Sequence, residues 1–259
     1  MVEYGICMLS VVPMRAQASD RAEQVTQLLF GECYEVLQAQ GNWLQVELAS
    51  DHYRGWMDIK QHTPVATEYY ERWCNTRHPR ALDLVQFIAT PDSRYPVGIG
   101  SYLPFYDGTN LHIDGNLYGY DGQASGVTGT ADGAALVQVA GLFIKAPYQW
   151  GGKSVFGIDC SGFVQQVFGM CGIQLPRDAY QQAEVGEEVH FATQTQAGDL
   201  AFFSNAEGRI VHVGLLLGQQ QIMHAHGEVR IDTLDHNGIY NSSRKKYSHQ
   251  LRIIKRIVS

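Results

Sequence analysis

Residues 148–168, YQWGGKSVFGIDCSGFVQQVF, carry the strongest fold signal in this chain and contain one cysteine, Cys160. Glycines and aromatic residues precede Cys160, a composition that is typical of a loop. From Cys160 onward, apolar residues recur with the spacing of one face of an amphipathic helix, at positions 160, 163, 164, 167, 168 and 171. We therefore expect Cys160 in the first turn of a helix. Because helix N-termini favour anions, this thiol should ionise readily and act as a nucleophile.

Size and composition exclude several classes of protein. The 259 residues are enough for two or three small domains. A net charge of −7 argues against a nucleic-acid partner, and the sequence has no apolar run long enough for a membrane-spanning helix. Glu3 stands where a signal peptide would carry a basic residue, so we expect a cytoplasmic protein. The five cysteines include no CxxC pair, so neither a disulfide framework nor a zinc site is indicated.

The N-terminal half has the pattern of two small β units. Residues 1–63 contain short strand-like segments separated by Gly and Asn, which favours a small β-barrel. Residues 67–89 look helical in part, with a break near Pro79. Short segments rich in Gly, Tyr and Asp follow at 95–127 and predict a second β unit. A linker is expected at 125–133.

The C-terminal half has a different pattern, in which helices come first and strands follow. A helix that ends before Pro147 is predicted by one apolar face, formed by Leu136, Val139, Ala140, Phe143 and Ile144. After the Cys160 helix, the sequence predicts strands that begin near Asp199 and continue at 209–217, 221–225 and 251–258. This order of elements indicates an α+β fold with an antiparallel sheet.

A nucleophilic cysteine needs a base, and the base needs an orienting partner. His212, His224 and His226 lie on two predicted strands that are joined by a hairpin-sized loop, GQQ. The three histidines share the parity that places side chains on one face of a sheet. A loop centred near Gly218 and Gln219 places His212 opposite either His224 or His226, and the spacing leaves both pairings open.

Metal binding is the rival use of these three histidines. No carboxylate or second cysteine is obviously placed to complete a metal site, so we expect catalysis without a metal ion or a cofactor. The remaining histidines are expected mainly in loops or at the surface; they are His52, His62, His78, His112, His190, His236 and His249.

The opening run closely resembles the catalytic segment of the NlpC-type cell-wall cysteine peptidases, whose pattern is a Tyr, then W-G-G, then D-C-S-G-[FL]-V. HVGLLL and IMHAHG resemble the two histidine strands of the same family. The resemblance covers roughly 131–258 and implies a papain-like NlpC catalytic domain, of helices and an antiparallel sheet, at 129–259. It further implies that Cys160 is the nucleophile, His212 the base and His224 the orienting residue.

The resemblance also implies roles for residues around the thiol. Tyr148 would lie near the thiolate and help to hold the oxyanion site. The substrate-binding side would be lined by Trp150, Asp159 and Ser161. His226 stands where many relatives carry a small residue, and its imidazole would either add a substrate contact or have no role.

The N-terminal half resembles bacterial SH3-like domains through SDRAEQVTQLLFGECYEVL, WLQV and YRGWM. The implied organisation is an SH3-like β-barrel at 1–63 and a second SH3-like unit with a helical insertion at 64–128, before the catalytic domain. This is the arrangement of γ-D-glutamyl-L-diamino acid endopeptidases that recycle murein peptides with a free N-terminal L-Ala. In that group an acidic residue of the first barrel binds the amine. Glu23 would have this role here, with Tyr53 as an aromatic companion.

The implied partner is therefore a murein-derived peptide, L-Ala-γ-D-Glu-diamino acid, and neither nucleic acid nor membrane is expected as a partner. Three alternatives remain. An exported hydrolase of intact peptidoglycan would use the same catalytic residues, with the barrels as wall-binding modules. A cysteine acyltransferase would use them for another acceptor. A binding protein with a decayed site would not be expected to retain Cys160, His212 and His224 together.

Overall fold

The computed structural model describes residues 2–127, 131–190, 194–242 and 244–258. The chain forms two compact units. One consists of Met1–Thr128 together with Trp150–Val155, and the other of Gly129–Gln149 together with Phe156–Ser259. The linker predicted at 125–133 lies partly outside the described residues. Within the described part of the chain, no helix is long and apolar enough to cross a membrane.

The first unit begins with an antiparallel sheet of seven strands, which confirms the short strands predicted there. They are β1 (Glu3–Ile6), β2 (Val11–Arg15), β3 (Gln24–Leu29), β4 (Cys33–Gln40), β5 (Trp43–Leu48), β6 (Arg54–Asp58) and β7 (Pro64–Val65). Their order is β3-β2-β6-β5-β4-β1-β7. In β5, the alternate residues Leu44, Val46 and Leu48 are buried. This period of two places one face of the sheet on an apolar core.

A helix and a four-stranded sheet complete the N-terminal part of this unit. The helix α1 spans Thr67–Cys74 and buries Tyr69 and Trp73. The strands are β8 (Val85–Ala89), β9 (Arg94–Gly98), β10 (Asn110–Ile113) and β11 (Asn116–Gly119), in the order β10-β11-β8-β9. That this sheet is a second SH3-like unit stays a prediction.

The expectation of helical structure over 67–89 is wrong in its second half. The helix ends at Cys74, and β8 pairs with β9 so that Val85 lies opposite Gly98. A helix restarted beyond Pro79 would need a new and unfavourable nucleus, whereas pairing with β9 satisfies the same backbone groups directly.

The segment Trp150–Val155 also belongs to the first unit and contains the short strand β12 (Lys153–Ser154). The Lys153 Nζ atom lies 3.1 Å from Glu32 Oε1, and only 4% and 1% of the two side chains are exposed. The Lys153 N–H donates to Gln27 Oε1 at 2.8 Å. A buried ion pair with further hydrogen bonds therefore holds this segment on the sheet.

The described residues of the second unit form three α-helices and a sheet whose strands are all antiparallel. The helices are α2 (Gly133–Gly141), α3 (Cys160–Met170) and α4 (Ala179–Gln182). A short strand, β13 (Gly157–Ile158), lies outside this sheet, whose strands are β14 (Glu187–Glu188), β15 (Leu200–Ser204), β16 (Ile210–Gly218), β17 (Gln221–His226), β18 (Glu228–Asp235), β19 (Gly238–Asn241) and β20 (Lys246–Arg256). The predicted α+β order is confirmed, and β18 and β19 are additions to it.

Six strands of the second unit close into a barrel. The sheet order is β14-β20-β15-β16-β17-β18-β19, and β19 also pairs with β20. Each of the six strands contributes to one apolar cluster, which contains Ala201, Phe203, Leu216, Ile222, Leu234, Ile239 and Ile254. Because inward and outward side chains alternate along every barrel strand, this cluster marks the barrel interior.

The helix α3 begins at Cys160, as the apolar spacing predicts. Its N-cap is Asp159, whose side chain accepts a hydrogen bond from the Gly162 N–H at 2.6 Å. This satisfies one of the unpaired amides at the helix start. Almost every residue of α3 is buried, and Phe143, in the turn that follows α2, packs against Phe163.

Candidate active site

Cys160 lies in the first turn of α3, and only 7% of the residue is exposed. Backbone N–H groups of Val213 and Ser161 donate hydrogen bonds to its sulfur. The bond from Val213 places the thiol beside the strand residue that follows His212. The structure thus brings the predicted nucleophile to the predicted base strand.

The expectation that Cys160 ionises readily is wrong for the resting molecule. Burial raises the pKa of its thiol to about 12, and the neighbouring Asp159 carboxylate adds to the rise. The backbone hydrogen bonds lower the pKa but do not offset the burial. Desolvation disfavours a thiolate more strongly here than the helix terminus favours it. A nucleophilic role for Cys160 would therefore require a base that accepts its proton.

A chain of hydrogen bonds leads from the base into the sheet. His212 Nε2 lies 2.8 Å from His224 Nδ1, and His224 Nε2 lies 3.2 Å from Asp232 Oδ2. All three residues are buried. The structure therefore selects His224 over His226 as the hydrogen-bonding partner of His212.

The local register explains this pairing. β16 and β17 are joined by Gln219 and Gln220, both with positive φ (49° and 61°), as in a two-residue type I′ hairpin loop. A register shift between Leu216 and Gly218 adjoins the loop, so that Leu216 lies opposite Ile222. Gly214 then lies beside His224, and a Cβ added to Gly214 would be 2.9 Å from the His224 Cβ atom. The missing side chain leaves room for the His224 ring to reach His212.

Two further imidazoles surround the base. The ring of His249, on β20, stacks on His212 with centroids 4.0 Å apart and an interplanar angle of 16°. The ring of His226 lies 4.9 Å from that of His249. His249 was expected in a loop or at the surface, and that expectation is wrong, because closure of the barrel through β20 brings its side chain against His212.

These surroundings keep the imidazole of His212 neutral. Burial lowers the pKa of His212 well below its usual value, and repulsion from positive charge on His249, His224 and His226 lowers it further. Burial likewise lowers the pKa of His249 to about 4. At neutral pH the resting site therefore contains a protonated thiol and an uncharged base.

Three of the histidines also lie close enough together to bind a metal ion. Ligand atoms of His212, His224 and His249 all lie within 4.8 Å of one another. The rings of His212 and His249 are nearly parallel, however, so their in-plane lone pairs do not converge on one point. His212 Nε2 and His224 Nδ1 are also occupied by each other. The present ring orientations suit proton transfer better than coordination, and the absence of a metal cofactor stays a prediction.

Tyr148 is half-buried beside the thiol. Burial raises the pKa of its hydroxyl to about 12, and the negative charges of Cys160 and Asp159 add to the rise. A hydroxyl with such a pKa remains a hydrogen-bond donor at neutral pH. This is the property that the predicted oxyanion role requires.

Asp159 and Ser161 belong to a buried network around Arg177. Arg177 Nη2 donates to Asp159 Oδ2 at 2.6 Å, and Arg177 Nη1 donates to Ser161 Oγ at 2.9 Å. Only 6% of Asp159 and 6% of Ser161 are exposed. The two residues thus anchor the start of α3, and their contact with substrate stays a prediction.

The remaining predicted site residues lie in the first unit. Trp150 Nε1 donates a hydrogen bond to Glu23 Oε1 at 2.6 Å, and 61% of Trp150 is exposed. Tyr53 packs against the apolar core of the seven-stranded sheet. The structure thus brings Glu23 and Trp150 into contact, and the roles of Glu23, Trp150 and Tyr53 toward a substrate stay predictions.

Sequence reasoning missed three residues of this site: Asp232, His249 and Arg177. Asp232 lies on β18, whose eight residues, EVRIDTLD, were not recognised as a strand. A carboxylate on the strand after the second histidine strand was a usable signal, because neighbouring strands place side chains in contact. Arg177 stands in LPRDAYQQ, and its sequence neighbours show no reason for complete burial.

Comparisons with known proteins find similarity in both halves of the chain. Residues 145–249 match the NlpC/P60 family, and residues 14–61 match the bacterial dipeptidyl-peptidase Sh3 domain. Proteins named gamma-D-glutamyl-L-lysine dipeptidyl-peptidase are similar to this chain. The one from Bacillus subtilis is 31% identical over 220 residues, covering 77% of this chain and 71% of the relative. The one from Bacillus cereus is 27% identical over 230 residues, covering 77% and 66%.

Solved structures share the fold. An NlpC/P60 family protein from Bacillus cereus superposes with a TM-score of 0.82 at 20% identity, covering 99% of this chain and 100% of that protein. A second similar structure, an NlpC/P60 endopeptidase from Photobacterium damselae, has a TM-score of 0.71 at 16% identity and covers 96% and 70%. At these identities the likeness establishes the fold alone.

Proposed function

Because this chain belongs to the NlpC/P60 family of cysteine peptidases, we propose that it hydrolyses the γ-D-glutamyl–diamino acid bond of murein peptides that carry a free N-terminal L-Ala. The observation that carries the chemistry is the hydrogen bond between His212 and His224 beside the buried thiol of Cys160. Similarity to two dipeptidyl-peptidases over both halves supports the choice of bond. The diamino acid is meso-diaminopimelate or lysine, and the proposed setting is peptide recycling in the cytoplasm.

The reaction begins with proton transfer from Cys160 to His212 as the sulfur attacks the γ-carbonyl carbon of D-Glu. A C–S bond forms, and the carbonyl electron pair moves onto oxygen. His212, now an imidazolium, donates the proton to the leaving amine of the diamino acid, and the C–N bond breaks. The product of this half-reaction is a thioester of Cys160 with the L-Ala-γ-D-Glu acyl group.

Deacylation reverses the proton path. Neutral His212 accepts a proton from water, the resulting hydroxide attacks the thioester, and the sulfur leaves and recovers the proton. His224 orients the ring of His212 in both halves, as a third residue does in triads generally. The Cys160 N–H at the start of α3 and the Tyr148 hydroxyl are the proposed donors to the oxyanion.

Substrate selection is the second part of the proposal. A free N-terminal amine is a cation at neutral pH, and Glu23 offers a carboxylate in the first unit. Its Oε1 accepts from the Trp150 indole, which fixes the orientation of the carboxyl group. Tyr53 and His226 are proposed as further substrate contacts, together with Asp159 and Ser161 around the acyl chain.

Cleavage of L-Ala-γ-D-Glu-diamino acid by the full chain tests the proposal, with products identified by mass spectrometry. Cys160→Ala should abolish cleavage, and the control Cys171→Ala, at the C-terminal cap of α3, should not. Retention of full activity by Cys160→Ala would contradict the mechanism.

The N-acetylated peptide tests the amine requirement separately. It should be cut much more slowly than the free peptide, and Glu23→Gln should raise KM for the free peptide alone. Gln retains an acceptor for Trp150 but removes the charge, and Glu35→Gln serves as the control. Equal cleavage of both peptides would contradict the role of Glu23.

Hydrolysis of intact wall stems is the second candidate, with the SH3-like domains as wall-binding modules. It is supported by 37% identity over 111 residues to the murein DD-endopeptidase MepS of Escherichia coli, a match that covers 42% of this chain and 56% of that relative. Digestion of purified sacculi distinguishes the two candidates: release of soluble fragments at a rate comparable to cleavage of the free peptide favours wall hydrolysis.

A further inference from the structure

We propose that Asp232 is a positioning residue that fixes the tautomers of His224 and His212, so that His212 presents an unprotonated Nδ1 atom to the thiol of Cys160. This inference rests on the proposed function for its catalytic consequence. Its structural content concerns protons on three buried side chains and is independent of the substrate.

The placement of Asp232 is specific. It lies on β18 opposite Ile222, the residue two positions before His224 on β17. Its side chain is 2% exposed, and its Oδ2 atom lies 3.2 Å from His224 Nε2. The Arg230 Nη2 group donates to the other oxygen, Oδ1, at 2.9 Å. Both oxygens of the carboxylate therefore have a donor.

Asp232 is ionised in this setting. Burial acts to raise the pKa of its carboxyl group, but the hydrogen bonds from His224 and Arg230 outweigh burial and lower the pKa below its usual value. An ionised carboxylate only accepts hydrogen bonds. The proton in the contact with His224 must therefore be on His224 Nε2.

The tautomer of His224 determines that of His212. A neutral imidazole carries one N–H, so a proton on His224 Nε2 leaves its Nδ1 as an acceptor. The bond of 2.8 Å between His224 Nδ1 and His212 Nε2 then requires the proton on His212 Nε2. His212 Nδ1 is left with a free lone pair, which is the state that a general base needs.

Removal of the negative charge would release this constraint. An asparagine at 232 can turn its amide N–H toward His224 Nε2, which favours the proton on His224 Nδ1. His224 would then donate to His212 Nε2, and the remaining proton of His212 would occupy Nδ1. In that tautomer His212 cannot accept the thiol proton, although every heavy atom keeps its place.

Asp232→Asn is therefore the test variant, and Asp235→Asn is its control. Asp235 is an exposed carboxylate on the same strand that accepts from the Tyr247 hydroxyl. The wrong tautomer of a triad histidine lowers kcat about 10⁴-fold in a serine protease. Asp232 contacts His224 and not His212, so its effect on His212 passes through the imidazole ring of His224. We therefore expect kcat to fall by about 10²-fold with KM unchanged. Asp232→Glu should recover part of the loss, and the control should keep wild-type kcat.

Nitrogen-15 NMR of the histidine rings provides the readout that a merely structural role would not change. In the wild-type protein at neutral pH, His224 should carry its proton on Nε2, and in Asp232→Asn this proton should shift toward Nδ1.

Different results would overturn the role of Asp232 and the proposed function. A wild-type His224 with its proton on Nδ1 overturns the proposal even if the variant fails to fold, and so does a folded Asp232→Asn protein with unchanged kcat. If the wild-type protein does not cleave the murein peptide, the proposed function fails, while the NMR result still decides the role of Asp232.

Discussion

The imidazole rings of His212 and His249 lie face to face, with centroids 4.0 Å apart and planes inclined by 16°. The two residues are 37 positions apart in sequence, on strands that do not pair directly, because β15 lies between β16 and β20. Phe203 of β15 contacts both rings, at centroid distances of 5.8 and 5.9 Å. His212 is thus enclosed by the rings of His249 and Phe203 inside the barrel.

Two replacements of His249 should distinguish the role of its flat ring in packing from the role of its ring nitrogen atoms. His249→Phe keeps a flat ring against His212, and because burial lowers the pKa of His249 to about 4, little positive charge is lost at pH 7. We expect near-wild-type kcat for His249→Phe and about a tenfold lower kcat for His249→Ala, which admits water beside the base. Steady-state kinetics on the murein peptide measures both. Equal inactivation by the two changes would show that the nitrogen atoms of His249 are required.

The protonation state of Cys160 predicts an unusual pH dependence. With the pKa of the thiol raised to about 12 by burial, the thiolate fraction should rise about tenfold per pH unit from pH 6 to 9. The rate of Cys160 alkylation by iodoacetamide should rise in parallel. A stable thiolate–imidazolium pair would instead give a plateau over this range.

Alkylation must be followed at Cys160 itself, by peptide mass spectrometry. Cys74 is exposed and will react with the reagent, so Cys74→Ser is the appropriate background.

In the same Cys74→Ser protein, kcat/KM for the murein peptide should stay level from pH 8 down to pH 6. Burial and the neighbouring histidines hold the pKa of His212 well below its usual value, so the base remains neutral over this interval.

Gly214→Ala should disable the site through His224. The added methyl group would lie 2.9 Å from the His224 Cβ atom and 2.7 Å from Ile222 Cδ1, so both side chains must shift. We expect a stability loss of about 1–3 kcal/mol and a fall in kcat of about tenfold or more as the contact with His212 lengthens. Urea unfolding and kinetics measure the two effects. Gly141→Ala, at the end of α2 with open space around it, should change neither, and full activity of Gly214→Ala would contradict this account.

The ion pair between Lys153 and Glu32 should dominate the stability of the first unit. Lys153→Met leaves the buried Glu32 carboxylate without its cation, which should reduce the free energy of unfolding by about 3–5 kcal/mol. The control is Lys145→Met, which breaks the exposed pair with Glu228 and should change stability by about 0.5 kcal/mol or less. Urea denaturation measures both. A loss for Lys153→Met no larger than the control would show that water reaches Glu32.

The sequence pattern predicted many of the helices and strands, because each is indicated by residues that lie close together along the chain. The apolar spacing after Cys160 predicts α3 and its start, and the parity of His212 and His224 predicts a shared sheet face. The pattern failed at 85–89, where β8 exists because of its pairing with β9. The five residues of this segment do not reveal which strand will form hydrogen bonds with their backbone N–H and C=O groups.

The sequence alone predicted Cys160 at the start of a helix, the two histidine strands and the α+β order, since each depends on periodicity or on residues close together along the chain. The tertiary structure alone decided the ionisation of Cys160, because burial is a property of the folded surroundings and here outweighs the helix terminus. It likewise brought Asp232 to His224 and His249 to His212. The contact of His249 arises only when six strands close into a barrel, whereas Asp232 lies on β18, the neighbouring strand of β17, which the sequence pattern does not predict.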